Sequence, residues 1–239
     1  MTLETIDGVS IVRFDHPPVN ALDLDLLDDI IVTMRGLTGP AVITGAGRCF
    51  SAGVDLHAIV DGGAEYTDRF MTSLSAAFLA VFDHPAPVVA AVNGHAIAGG
   101  CVFAMAADVR LMSAGTIGLT ELAVGAMFPM SAMEICRHAM GPSVTQAMLG
   151  AGTVEASTAA ALGWVDEVVT EDELLPRATA LARELAGYAP DTYAMTKQQL
   201  HRPARTAIEA GAETDEVVRA SWMSWQTHER IAGYLNSLH

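Results

Sequence analysis

Two glycine-rich turns, each directly after a short β-branched run, constrain this chain more than any other feature. The first lies in ITGAGRCFSAGVDL, residues 43–56, and the second in AAVNGHAIAGGCVF, residues 90–103. Each has the form strand, tight turn, then a segment of small residues. A helix N-terminus carries unsatisfied N–H groups and a partial positive charge, so two such turns side by side could aim two donors at one oxygen. Spacing alone equally fits glycines that only let a helix pack close to a strand. Both readings stand at this point.

The rest of the chain supplies the frame for these turns. Short apolar runs predict strands over 9–14, 41–44, 88–92, 109–112 and 165–169. Helical spacing predicts helices over 24–34 and 64–82, the latter with Phe70, Leu74, Phe78 and Phe82 four residues apart. Strands alternating with helices indicate an α/β domain. After about residue 170 the pattern turns helical: segments 171–186, 194–200, 204–218 and 222–238, with breaks expected at Tyr188–Pro190 and Pro203. Trp222, Trp225, Tyr234 and Leu235 give the last segment an apolar face that fits either its own domain or a partner subunit.

Composition excludes several classes of function. The 239 residues are 51% hydrophobic and carry a formal net charge of −15. One lysine and twelve arginines cannot form the concentrated basic face that nucleic acid requires, so no nucleic-acid partner is expected. No apolar run reaches the ~18 residues of a membrane span, and MTLETIDGVS is acidic where a signal peptide is basic. Cys49, Cys101 and Cys136 are widely spaced and form no CxxC pair, which fits packing thiols in a reduced, cytoplasmic setting. GAGRCF lacks the third glycine of a dinucleotide fingerprint, CFSAG misses a nucleophile elbow at its first position, and the eight histidines show no zinc spacing. No metal site is expected.

The ordered motifs resemble the crotonase, or enoyl-CoA hydratase/isomerase, superfamily. HPPVNALD (16–23), CFSAGVDL (49–56), PVVAAVNGHAIAGGCVFAMAADVRL (87–111), IGLTELAVGAMFP (117–129), ALGWVDEVV (161–169) and YAMTKQQL (193–200) match it in sequence order. The resemblance implies an α/β fold, a spiral of ββα units over residues 1–186, followed by a C-terminal helical trimerisation region over 187–239. It implies an acyl-CoA thioester substrate, no separate cofactor because coenzyme A is part of that substrate, and assembly as a homotrimer or homohexamer. By position, the backbone N–H groups of Val54 and Gly99 bind the thioester oxygen. Ala52, Gly53, Val54, Asp55, Leu56 and His57 on the first turn, with Gly99, Gly100 and Val102 on the second, line the substrate site.

Hydratases of the family use two glutamates, and these positions fall on Val102 and Glu121 here. Valine can neither hold nor activate water. Glu121 alone suffices to move a proton from the carbon beside a thioester to the γ carbon. The resemblance therefore implies a Δ3,Δ2-enoyl-CoA isomerase with Glu121 as its single base. A hydratase, hydrolase or lyase working without the first glutamate is the alternative, and a non-catalytic thioester-binding or scaffolding member is the alternative of another class. Glu134 is expected to pair with Arg137 or Arg110, and Asp55 to serve its turn. Arg48 and Lys197 are candidate phosphate contacts, whereas the C-terminal NSLH offers no cluster of basic residues. Residues 57–82 are expected to line the acyl tunnel, with Gly62–Gly63 as a mobile loop.

Overall fold

The computed structural model describes residues 1–237. Strands β1 (Thr2–Ile6) and β2 (Val9–Phe14) form an antiparallel hairpin. Its turn, Asp7–Gly8, has φ of 51° and 80°, the two left-handed residues that a type I′ hairpin requires. Helix α1 (Leu24–Gly36) follows, capped by Asp23, whose side chain accepts from the Leu26 N–H at 2.9 Å. It buries Leu26, Leu27, Ile30 and Met34, an amphipathic stripe facing the core.

The chain then repeats one unit three times. β3 (Ala41–Gly45), β4 (Cys49–Ser51) and α2 (Leu56–Phe82) form the first turn. β5 (Val88–Val92), β6 (His95–Ile97) and α3 (Gly99–Ala106) form the second. β7 (Val109–Met112) and β8 (Thr116–Gly118) lead through a 3-10 turn, Glu121–Val124, to α4 (Met130–Met140). Next come α5 (Val144–Gly150), β9 (Thr153–Glu155), α6 (Ala156–Ala161), β10 (Glu167–Val168) and α7 (Glu171–Leu185). Three further helices close the described chain: α8 (Pro190–Ala210), α9 (Ala212–Met223) and α10 (Trp225–Ser237).

Successive strands of each unit enter different sheets. One sheet has the order β1-β2-β3-β5-β7-β10, and the other β4-β6-β8-β9. β2, β3, β5, β7 and β10 run parallel, as do β4, β6 and β8. This is the ββα spiral that the sequence implied. Strands of the larger sheet are apolar on both faces because both are covered. Val12, Phe14, Ile43, Ala90 and Val92 face the main core, where Phe14 meets Phe50 and Phe103 at 5.4 Å each and Phe78 meets Phe103 at 4.7 Å. Val9, Ile11, Val42, Val89 and Ala91 face the other way, onto Leu174, Ala178 and Ala182 of α7.

Three expectations change. The strand expected over 165–169 is only Glu167–Val168, because residues 159–165 are taken up by the end of α6 and its hydrogen-bonded turn. Pro203 does not break its helix: α8 runs through it to Ala210, carried by the buried face of Lys197, His201 and Ala204. Gly62–Gly63 is not a loop; helical structure begins at Leu56, and Gly63 alone leaves it, with φ 66° and ψ −164°. The segment from Ala64 is helical as expected. Leu238 and His239 of the C-terminal stretch lie outside the described residues. No described helix is long and apolar enough to cross a membrane.

Candidate active site

β4, β6 and β8 are neighbouring parallel strands, so the segments leaving their C-terminal ends emerge along one sheet edge. Those ends are Ser51, Ile97 and Gly118, and Val54, Gly99 and Glu121 follow within three residues of each. The spiral thus brings the three sequence-predicted catalytic positions to one place from distant parts of the chain.

The first turn is held by side chains that carry no chemistry of their own. Asn20, at φ 53°, donates from Nδ2 to the carbonyls of Cys49 at 2.8 Å and Ala46 at 3.0 Å. Asn93 accepts from the Gly45 N–H and donates to the Gly47 carbonyl, both at 3.0 Å. Ser51 Oγ donates to the Asn20 carbonyl at 2.8 Å and accepts from the Gly53 N–H at 3.2 Å. An isolated parallel bridge joins Leu22 to Val54. In it Leu22 N–H reaches the Gly53 carbonyl at 2.8 Å, and the Leu22 carbonyl takes the Asp55 N–H at 2.9 Å. That pairing turns the Val54 N–H away from Leu22.

Glycine is required where the two turns meet. Gly53 has φ 84°, and a Cβ there would lie 2.7 Å from the Ile97 carbonyl and 3.3 Å from the Gly99 nitrogen. A Cβ on Gly99 would lie 2.7 Å from Leu22 Cδ1 and 4.0 Å from Gly53 Cα. Ala98, at φ 51°, swings the chain into α3, leaving Gly99 at the first helical position with no preceding carbonyl of the helix to bond. Among the turn and loop bonds of the described residues, neither the Val54 nor the Gly99 N–H donates. Two unused amides therefore stand beside each other.

Glu121 opens the 3-10 turn and is 9% exposed. Its Oε2 is buried and has no hydrogen-bond partner. Burial pushes its carboxyl up to about 7, against a smaller downward pull from the N–H groups of Thr120 and Glu121 itself. An unpaired buried carboxyl at that value can both take and return a proton near neutral pH. Cys101 and Cys136 lie near enough for the Glu121 charge to raise their thiols further, although burial is the larger cause. All three cysteines are free and buried, as packing thiols should be.

The remaining candidates sort by position. Asp55 caps α2, accepting from the Ala58 N–H at 3.0 Å, which is its expected service to the turn. Ala52 and Leu56 are half-buried beside it, and His57 is exposed. Gly100 packs against Ser51, and Val102 is fully buried within the core. Glu134 pairs with Arg137 at 3.3 Å, while Arg110 is bound to Asp166 at 2.8 Å. Arg48 is exposed beside a cavity of about 440 Å³. Lys197 corrects its expectation: it is 6% exposed, and its ammonium is held by Asp108 at 2.9 Å rather than presented to a phosphate. Its burial follows from its place on the inner face of α8. Sequence reasoning missed Asn20, Ser51 and Asn93; only the left-handed turn at VNAL could have marked Asn20.

Among the described residues no group of three His, Cys, Asp or Glu side chains could hold a metal. Stacked ββα turns whose segments converge on one sheet edge define a crotonase-type fold. The chain belongs to the enoyl-CoA hydratase/isomerase family, whose profile matches residues 4–237. It is similar to a putative enoyl-CoA hydratase of Thermus thermophilus, 38% identical over 163 residues, covering 66% of this chain and 64% of that relative. It is also similar to the mitochondrial enoyl-CoA delta isomerase 1 of Rattus norvegicus, 26% identical over 205 residues, 82% of this chain and 71% of that protein. Its fold matches the crystal structure of the human mitochondrial delta3-delta2-enoyl-CoA isomerase with a TM-score of 0.91 at 23% identity, covering 99% and 97% of the two chains. Enzymes of isomerase and of hydratase type thus both stand among its relatives.

Proposed function

We propose that this protein is a Δ3,Δ2-enoyl-CoA isomerase with Glu121 as its single proton-carrying base. One observation carries the reading: the buried carboxyl of Glu121, with its Oε2 unpartnered, lies at the same end of one sheet as two free amides, while the family's other acid position is Val102. The Glu121 carboxylate removes a proton from C2 of a 3-enoyl thioester. The C–H electron pair forms the C1=C2 double bond of a dienolate, the C3=C4 bond stays in place, and the carbonyl π pair moves onto the thioester oxygen. The Val54 and Gly99 N–H groups stabilise that oxygen most in the transition state. Glu121 then returns the proton to C4, giving the 2-enoyl thioester and regenerating its carboxylate. No water is consumed, so a hydrocarbon side chain at 102 costs this reaction nothing.

Hydration of a 2-enoyl thioester is the second reading, supported by the name of the Thermus thermophilus relative. It needs a held and activated water, and Val102 offers no group for it. Turnover of purified protein on 3-enoyl-CoA and, separately, on 2-enoyl-CoA distinguishes the two. Bond migration from 3-enoyl-CoA supports the proposal; efficient hydration of 2-enoyl-CoA with no migration from the 3-isomer refutes it.

The domain reading is proposed with it: residues 1–186 form the site-bearing core, and 187–239 serve assembly into a trimer or a pair of trimers. Exposed Tyr188, Met195 and Leu200 near and on α8 support that role. Light scattering should give three or six chains of 25.1 kDa, and a single chain at micromolar concentration would refute it.

A further inference from the structure

Glu121 sits on a strap, residues 119–129, that links β8 to α4. Its internal bonds are short-range: Ala123 N–H to the Thr120 carbonyl and Ala126 N–H to the Glu121 carbonyl, both at 3.0 Å, and Gly125 N–H to the Leu122 carbonyl at 3.1 Å. Its polar ties to the rest of the chain include two from 85 and 95 residues further on. Trp222 of α9 donates its indole N–H to the Met127 carbonyl at 2.8 Å. Asp215 of α9 accepts from the Met130 N–H at 2.7 Å. Pro129 precedes α4 and offers no capping side chain, so Asp215 caps that helix from a distance and adds a favourable negative charge at its N-terminus. The Arg230 shaft of α10 lies against Gly125, whose φ is 71°. The α9 helix is itself tied to α2 through the Arg219–Asp68 ion pair.

We infer that Trp222 and Asp215 are positioning residues for Glu121, fixing the strap so that the C-terminal hairpin α9–α10 sets where the carboxyl points and how dry it is. This rests on Glu121 as the proton-carrying base. Leu119, Ala126 and Phe128 seat the strap in the core by apolar packing, which has no direction, so the bonds from Trp222 and Asp215 supply its directional hold from outside. A carboxyl displaced by even about 1 Å from its reacting proton loses up to about 10² in rate.

Trp222→Phe keeps the buried ring but removes the N–H; Asp215→Ala removes the cap. Trp164→Phe is the control. Its indole is equally buried, at 3% exposure, and donates to Ser143 Oγ at 2.7 Å away from the strap. In full-length protein, Trp222→Phe and Asp215→Ala should each lower kcat on 3-enoyl-CoA about tenfold, with KM changed less than about twofold. The acid limb of their pH profiles should move to lower pH as water reaches the carboxyl. Trp164→Phe should lower the melting temperature and leave the limb in place. Carbon-13 NMR of glutamate-labelled protein follows the Glu121 titration without turnover, its resonance assigned by its loss in Glu121→Gln. A lower midpoint in Trp222→Phe or Asp215→Ala supports the inference even if wild type isomerises nothing, in which case only the proposed reaction fails. Midpoints and kcat equal to wild type in both variants overturn it.

Discussion

Two buried charged places in this molecule are built in opposite ways. Around Asp108 and Lys197, a carboxylate and an ammonium meet at 2.9 Å, and Asp108 also accepts the Val88 N–H at 2.8 Å. Beside them His201 stacks on Phe82 at 3.7 Å and meets His138 at 4.9 Å. At the sheet edge, Glu121 is buried with one oxygen given no partner at all. A buried charge is costly unless paired. The first place satisfies its charges and joins α8 to the core. The second leaves its carboxyl ready to bind a proton, which is worth retaining only where the proton has somewhere to go.

Removing each charge should separate the two. Glu121→Gln should lower isomerisation by about 10³-fold, because the proposed proton carrier is lost, while the protein stays folded. Its stability should change with pH in a defined direction. The carboxyl rises from 4.5 to about 7 on folding, so ionising it costs stability as pH climbs through that window. Glu121→Gln should therefore be the more stable protein at pH 8, by up to about 3 kcal/mol, and near parity at pH 4. Chemical denaturation at the two pH values measures this; equal differences at both would show that the carboxyl is not desolvated.

Changing the turns tests whether the amides share the work with Glu121. Gly53→Ala places a methyl against the Ile97 backbone at a left-handed φ, so the two turns must part. Its kcat should fall by about 10²–10³, the usual effect of losing one oxyanion donor. Gly99→Ala meets only the tip of the Leu22 side chain and should lose less. The reverse order in a steady-state assay would place the required contact elsewhere.

Lys197→Met should do the opposite of Glu121→Gln. It strands Asp108 in the interior and should cost about 3–5 kcal/mol of stability, yet kcat of the folded fraction should stay within about twofold, because surface and distant core changes act through folding. The smallest effect concerns His201, which burial holds down to about 4, with the Lys197 and His138 charges adding to it. The unfolded chain binds its proton at 6.5, so this group weakens the fold as pH falls from there. His201→Phe should flatten that acid slope in thermal melts between pH 6.5 and 4. An unchanged slope would shift the cause to His138 or to the surface.

The sequence made the large sheet legible and the small one not. Strands over 9–14, 88–92 and 109–112 match the structure, since β-branched runs covered on both faces leave a strong apolar mark. β4, β6 and β8 have three residues each, too few for any period to show. β1 is exposed at every residue and carries no apolar alternation, although the Asp7–Gly8 turn was a hairpin signal. Gly53 and Gly99 could be singled out because their motifs resemble the family's two turns, and at Gly53 the left-handed φ of 84° adds a physical demand for glycine. Asn93 could not, and Asn20 could be marked only as a turn residue, because a turn asparagine looks the same whether it supports a site or only a bend. Asp215 and Trp222 reach the strap only through tertiary folding, and no local pattern announces that.

The pH dependence of kcat/KM for 3-enoyl-CoA isomerisation tests the central claim most directly, since it titrates the free enzyme's base. A single acid limb near the Glu121 value of about 7, absent from the residual activity of Glu121→Gln, is the expected result. A limb near 4.5, the value of an ordinary solvated carboxyl, or the same limb in Glu121→Gln, would contradict it.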